Sequence, residues 1–300
     1  METNGKIMQL RQEIKSKLAP LIGNKVILTD CPYYSNIGDI LIWQGEVEFL
    51  KSIDSEILSQ TSFYTFNYPK IDSDVTICLQ GGGNFGDLYR ICQDFRKDII
   101  LKYPNNRIII FPQSVWYTNT DLMKKDALSF SSHPDLYICA RDLHSYRILN
   151  QYFGKNKILL VPDLAFYLDL SKYHIIPSNL NKKLWKKLYF KRLDKEYIDS
   201  DVDFLKSIKD VADWPTFEQP KSIFIRFESL LYYMHRFHIP KFVYAIFADK
   251  LMRSYFKPKL ISEGVNLLNK YDLIYVTRLH AMILGVLMSK NIVVLDNTTG

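Results

Sequence analysis

Leu273-Ile274-Tyr275-Val276-Thr277-Arg278-Leu279-His280-Ala281 is an apolar strand that breaks into a cation and an imidazole, then resumes as the apolar segment Met282 to Met288. A strand turning straight into a helix is the repeating unit of an α/β sheet, and open sheets of this class bind ligands at the carboxyl ends of their strands. Arg278 and His280 are therefore expected at a ligand site. A second junction of the same kind lies upstream, where Val75-Thr76-Ile77-Cys78-Leu79 runs into Gln80-Gly81-Gly82-Gly83-Asn84-Phe85-Gly86-Asp87. The two strand ends are expected to face one cleft.

Outward from these junctions, strand-like and helix-like segments alternate. Strands are expected at Val26–Leu28, Val75–Leu79, Arg107–Phe111, Leu136–Ala140 and Ile158–Val161, rich in Ile, Val and Leu. Helices are expected at Met8–Leu18, Ile40–Lys51, Leu88–Leu101, Asp121–Phe130 and Arg141–Tyr152. Ser35 to Asp39 reads as the loop that opens the second of these helices. Such an order argues a mostly parallel sheet covered on both faces. After Asp163 the chain turns polar and irregular, so a domain boundary is placed there, giving domains at residues 1–170 and 171–300. The second domain restarts with a strand near Leu188–Phe190 and a helix near Tyr197–Lys209. It closes with helix Ile261–Asn269, strand Asp272–Val276, helix Leu279–Met288 and strand Ile292–Leu295.

With 300 residues, 47% hydrophobic and 24% charged, the composition is that of an ordinary soluble globular chain of one large or two medium domains. Cys31, Cys78, Cys92 and Cys139 lack metal-ligand spacing and read as reduced, mostly buried thiols of a cytoplasmic protein. No metal site is expected. The first residues carry no secretory signal, and no apolar run approaches the ~20 residues of a membrane span.

The net charge of +7 is concentrated in residues 171–260, which hold 18 Lys and Arg against 10 Asp and Glu. Within them Lys182-Lys183-Leu184-Trp185-Lys186-Lys187 and the stretch Lys221 to Lys259 interleave cations with aromatic and aliphatic groups. That mixture suits an anionic membrane surface or a lipid-linked substrate, so peripheral membrane contact is expected through residues 182–259. A solvated helix face over an ordinary core explains the same pattern. Nucleic acid is not expected, because no nucleic-acid module accompanies the charge.

Gly81-x-Gly83-x-x-Gly86 fits the dinucleotide fingerprint, but the following strand ends in Phe111-Pro112-Gln113-Ser114, without the acidic residue that would hold a ribose. Asp87 would also sit close to the pyrophosphate. Backbone amides in a glycine turn with a helix behind it still favour a polar or anionic ligand.

Taken in order, Asn36-Ile37-Gly38-Asp39, Gly81-Gly82-Gly83-Asn84-Phe85-Gly86-Asp87, Phe111-Pro112-Gln113-Ser114, Ala140-Arg141-Asp142, Val161-Pro162-Asp163, Thr277-Arg278-Leu279-His280-Ala281 and Leu295-Asp296-Asn297 resemble the polysaccharide pyruvyl transferases. Lys191-Arg192-Leu193-Asp194-Lys195-Glu196 resembles the family's Arg-x-Asp-x-Glu segment, and Asp213-Trp214 a family Asp-Trp pair. Lys221 to Lys259 maps onto no family element. The resemblance implies two Rossmann-like α/β domains facing a cleft, as in the GT-B glycosyltransferases. It also implies transfer of a pyruvyl group from phosphoenolpyruvate to two hydroxyls of a sugar, as a ketal. The acceptor would belong to a capsule or exopolysaccharide or its lipid-linked precursor, at the inner face of the cytoplasmic membrane, with no cofactor beyond the donor.

The residues suit that chemistry. Phosphate and carboxylate on the donor call for cations, and Arg278 and Arg141 lie at strand ends. Removal of Arg278 from a loop is expected to spare the fold. His280 is the natural acid to protonate the donor's methylene carbon, and Asp87 the carboxylate to take the hydroxyl proton. Leu279, Gly82, Gly83, Asn84, Asn36, Asp39 and Arg192 complete the expected substrate-binding set. Each has a structural competitor: Arg278 as an ion-pair partner, His280 as a loop hydrogen bond, Arg141-Asp142 as a pair at a helix start. Two other functions fit the sequence, a glycosyltransferase using a nucleotide sugar and a non-catalytic membrane-surface scaffold.

Overall fold

The computed structural model describes residues 2–178, 184–192, 203–218 and 222–295. In chain order the elements are α1 (Glu2–Leu18), β1 (Lys25–Thr29), α2 (Ile37–Ser52), β2 (Glu56–Gln60), β3 (Thr76–Leu79), β4 (Gly82–Gly86), α3 (Arg90–Lys102) and β5 (Ile108–Trp116). They continue with α4 (Thr120–Phe130), β6 (Leu136–Ala140), α5 (Leu143–Tyr152), β7 (Lys157–Leu160), β8 (Lys187–Phe190), β9 (Val211–Ala212), α6 (Pro215–Glu218) and α7 (Ile223–Arg236). The last are α8 (Ala245–Leu251), α9 (Lys257–Asn269), β10 (Leu273–Val276), α10 (Leu279–Leu287) and β11 (Asn291–Val294).

The chain divides into two compact units. One takes the described residues up to Tyr33 together with Ile42–Leu168 and His235–Lys250; the other takes Tyr34–Leu41 and the described residues of Asp169–Met234 and from Leu251 onward.

In the first unit the strands lie in the order β2-β1-β3-β5-β6-β7, with β4 paired to the far half of β5. Every pairing is parallel. The reason is legible in the residues: Val26, Leu28, Ile77, Leu79, Ile108, Ile109, Ile110 and Ile138 are all fully buried, as strands covered by helices on both faces must be. The GGGNFG stretch departs from expectation. It is a strand, with Gly82 opposite Gln113 and Gly86 opposite Trp116, and no helix starts directly behind it. Glycine is required there, because a Cβ on Gly86 would lie 1.7 Å from the Trp116 carbonyl oxygen and its φ of +136° disfavours any other residue. With its edge committed to β5, the segment is not the phosphate-cradling turn of a dinucleotide fold. Pro112 lies within β5 where the pairing to β6 skips register between Ile110 and Gln113, which is where a strand tolerates a missing N–H.

In the second unit the order is β11-β10-β8-β9, again all parallel. Tyr189, Leu205 and Ile208 form a buried cluster with Tyr275 and Leu295 packed against it. The expected helix at 197–209 falls partly outside the described residues; its described part contains a 3-10 helix at Asp203–Ser207. Lys182, Lys183, Asp194, Lys195, Glu196, Asp296 and Asn297 also lie outside them. The basic aromatic stretch is helical: α7, a 3-10 turn at Lys241–Val243, α8, a π-helical turn at Met252–Phe256, and α9. All four cysteines are free and buried. No helix among the described residues is long and apolar enough to cross a membrane.

Candidate functional site

In the second unit three strand ends carry the chemistry. Thr277, just past β10, accepts from the Arg192 backbone N–H at 3.1 Å through its hydroxyl, tying the ends of β10 and β8 together. Arg278 follows at the N-cap of α10. Its guanidinium folds onto Asp213, just past β9, with Nε 2.5 Å from Oδ1 and Nη2 2.6 Å from Oδ2. Both side chains are buried, the Trp214 N–H also donates to Asp213, and the Phe217 ring lies 5.0 Å from the guanidinium carbon. Arg278 is therefore half of a buried bidentate ion pair, not a loop cation whose removal spares the fold.

His280 is buried in the first turn of α10. The same unit holds the start of α2, where Asn36 Oδ1 accepts from the Gly38 N–H at 3.0 Å and Asn36 Nδ2 donates to Asp39 Oδ2 at 3.0 Å. Asn36 thus caps the helix while Asp39 holds its amide, and the helix begins at Ile37, three residues earlier than expected. A Cβ on Gly38 would lie 2.7 Å from His280 Nδ1. The cap and the imidazole are neighbours, and Gly38 is what lets the ring sit there. Ser35 donates to Glu228 on α7, whose carboxyl is pushed up by burial even though those hydrogen bonds pull the other way.

In the first unit Arg141 immediately follows β6. Its Nε donates to Ser114 Oγ at 2.9 Å and its Nη1 to Asp163 Oδ2 at 2.8 Å. Ser114 donates onward to Asp142, which caps α5 by accepting from the Ser145 N–H. A side chain on Gly83 would begin 3.4 Å from Arg141 Nη2, so this glycine leaves room beside the guanidinium. Gly82, with φ of +133°, opens β4. Asn84 does not offer its carboxamide oxygen to a ligand: that atom accepts from Arg96, which also holds the Asn84 carbonyl at 3.0 Å.

Arg96 was not among the expected residues, nor was its ion-pair partner Asp30, 2.6 Å away and equally buried. Asp30 lies one residue past β1 with φ of +63°, so the strand-end rule that singled out Arg278 would have found it. Glu46 was also missed. It is a fully buried carboxylate on α2 that accepts the Gly81 N–H at 2.8 Å, and as an acid set among Trp43, Val47 and Phe49 of an apolar helix it was visible in the sequence.

Asp87 is engaged by the loop that follows β5. Its Oδ2 accepts from the Thr118 N–H, the Thr118 hydroxyl and the Asn119 N–H at 2.8 to 2.9 Å. Burial alone would push its pKa up, but these donors together hold it below the ordinary carboxylate value. A carboxylate so stabilised is a weak base, and here it anchors the loop between β5 and α4. Asp87→Ala is expected to cost about 1–2 kcal/mol, as for other capping carboxylates. Because the folded pKa is depressed, that contribution is complete above the unfolded value near ~4 and is lost as pH falls through the folded value. Urea unfolding of wild type and variant should therefore converge at acid pH.

Among the described residues, no group of three or more His, Cys, Asp or Glu could hold a metal ion.

The chain is 30% identical to EpsO of Bacillus subtilis, which carries the name of a pyruvyl transferase, over 100% of this chain and 90% of that one. It is 34% identical to pyruvyl transferase 1 of Schizosaccharomyces pombe, over 48% of this chain and 38% of that one. A crystal structure of an uncharacterised protein from Klebsiella pneumoniae superposes with a TM-score of 0.58 at 17% identity, covering 97% of this chain and 90% of its own, a likeness of fold. The sequence model of the polysaccharide pyruvyl transferases matches residues 36–299, spanning both the α2 cap and the Arg278 to His280 turn, and the chain belongs to that family and is an enzyme of that kind.

Proposed function

We propose that the donor is phosphoenolpyruvate, that the acceptor is a sugar on a lipid carrier at the inner face of the cytoplasmic membrane, and that each of the two units is Rossmann-like, as are the domains of GT-B glycosyltransferases. The observation that carries this reading is His280, fixed in the first turn of α10 at the carboxyl end of β10 beside the Asn36–Asp39 cap.

In the reaction one sugar hydroxyl adds to the enol carbon while its methylene carbon takes a proton and becomes a methyl group. The second hydroxyl then displaces the phosphate, which leaves as inorganic phosphate with the remaining proton. His280 is the acid that protonates the methylene carbon. Arg141, Arg192 and Arg278 supply the positive field for the donor's carboxylate and phosphate. Arg141 is oriented by Ser114 and Asp163, and Arg278 by Asp213, so no reorganisation is needed when charge develops. Gly83 keeps the surface beside Arg141 free of a side chain, and Leu279 joins Arg278 at the cap of α10 to His280 in its first turn. Asp87, which holds the loop after β5, is the carboxylate we assign to take the hydroxyl proton, and its lowered pKa makes it a weak base for that step.

The test is incubation with phosphoenolpyruvate or with nucleotide sugars and a lipid-linked glycan, read by mass spectrometry. Ketal formation adds the mass of pyruvate less water and releases phosphate. A hexose increment would replace this reading with a glycosyltransferase, and an unchanged glycan would leave it without support.

Gly38→Ala tests the placement of His280. The added methyl would press on the imidazole, and misplacing a catalytic group by an ångström costs about 100-fold. We expect kcat to fall by roughly 10- to 100-fold with only a small change in the melting transition, since alanine is the better helix former. Unchanged kcat would show that the ring position is not critical.

A further inference from the structure

We propose that the segment Phe237 to Phe247 is an insertion surface that seats the enzyme on an anionic lipid bilayer. This goes beyond the pyruvyl-transfer reading and does not depend on it.

The segment is firmly held by one face. Lys241 Nζ donates to the Phe63 and Phe66 carbonyls at 2.8 and 2.9 Å, the Tyr244 hydroxyl donates to the Tyr64 carbonyl at 2.8 Å, and Asp249 accepts from the Tyr33 hydroxyl at 2.9 Å. Tyr244, Ala245, Ala248 and Asp249 are buried. The opposite face of such a helix is ordinarily polar. Here it carries Phe242, Val243, Ile246 and Phe247, respectively 72%, 61%, 82% and 70% exposed, and Phe237 just before them is 71% exposed. Exposed apolar area on the order of 600 Å² on one short segment is at the top of what a monomer leaves uncovered.

Charge decides the occupant. Between Ser229 and Ser262 the only acidic residue is Asp249, and it is buried, while Arg236, His238 and Lys250 are exposed around the apolar side chains. Apolar tips flanked along the chain by exposed cations match hydrocarbon lying beneath anionic headgroups, with the exposed Asp98 carboxylate also within electrostatic reach of Lys241. Since no described helix is long and apolar enough to cross a membrane, the contact is interfacial. Lys241 and Lys257 take no part in it, the first bonded to carbonyls and the second buried.

The experiment is co-sedimentation of the full chain with vesicles of phosphatidylglycerol and phosphatidylcholine, without donor or acceptor, beside phosphatidylcholine alone. Binding is expected to the anionic vesicles and to weaken with salt. Phe242→Ser, Ile246→Ser and Phe247→Ser combined should raise the lipid needed for half-binding about tenfold or more, with the urea transition and phosphate release on a soluble acceptor unchanged. Wild-type protein left in the supernatant at low ionic strength overturns the proposal, as does a triple variant that binds like wild type. A dimer that dissociates in the variant, without vesicle binding, would assign the face to a second copy instead. Loss of phosphate release with vesicle binding intact would sink the donor assignment and leave the docking standing.

Discussion

Arg278→Ala is expected to lower stability by about 3–5 kcal/mol, the usual loss when one half of a buried ion pair is removed. Asp213 would keep a charge in a fully buried position with its bidentate partner gone. Urea unfolding read by tryptophan fluorescence measures this directly, and a midpoint like that of wild type would refute the structural role. Two companion variants separate stability from chemistry. Arg278→Lys keeps the charge but replaces a planar two-point donor with a single ammonium, so an intermediate loss is expected. Arg278→Met with Asp213→Leu removes both charges and should recover most of the stability, because well-packed apolar pairs commonly replace buried ion pairs without loss. If that double variant also recovers turnover, Arg278 contributes nothing to the reaction.

His280→Asn is expected to retain donor binding and the fold while turnover falls by about 100- to 10,000-fold, the usual contribution of a positioned general acid. Asparagine is of similar volume and can keep a hydrogen bond in the first turn of α10, but its amide delivers no proton to carbon. Phosphate release under saturating donor gives kcat, and calorimetric titration gives donor affinity. A kcat within threefold of wild type would place the acid elsewhere, and lost donor affinity with normal kcat would make the ring a binding group.

The parallel sheets were legible because their strands are continuous apolar runs. β6 was read to the residue, and β1, β3 and β7 to within a residue or two. β2 escaped because Glu56-Ile57-Leu58-Ser59-Gln60 is only half-buried and shows no apolar run. β4 escaped for a deeper reason: glycine has no intrinsic strand preference, and only its partner β5 makes Gly82–Gly86 extended. β5 was cut short at Pro112, where local propensity favours a stop and the pairing instead skips. The strand-end rule located Arg278, His280 and Arg141, since it depends on topology alone. It could not supply their partners. Asp213 lies 65 residues before Arg278, and no spacing in the sequence joins them. Nor could composition tell a solvated lysine from one like Lys241, whose ammonium is engaged by two carbonyls of the first unit.

The pairing of β4 with β5 alone also bears on how the chain acquires its structure during synthesis. β1, β3 and the turn after them emerge from the ribosome before β5, so the glycine strand leaves the exit tunnel with no edge to join. Its strand pairing is expected to wait until residue 116 is out. A ribosome stalled before β5 would therefore hold a nascent chain with β1 and β3 already translated and the GGGNFGD stretch open to protease, and protection should set in as Gln113 to Trp116 clear the exit tunnel.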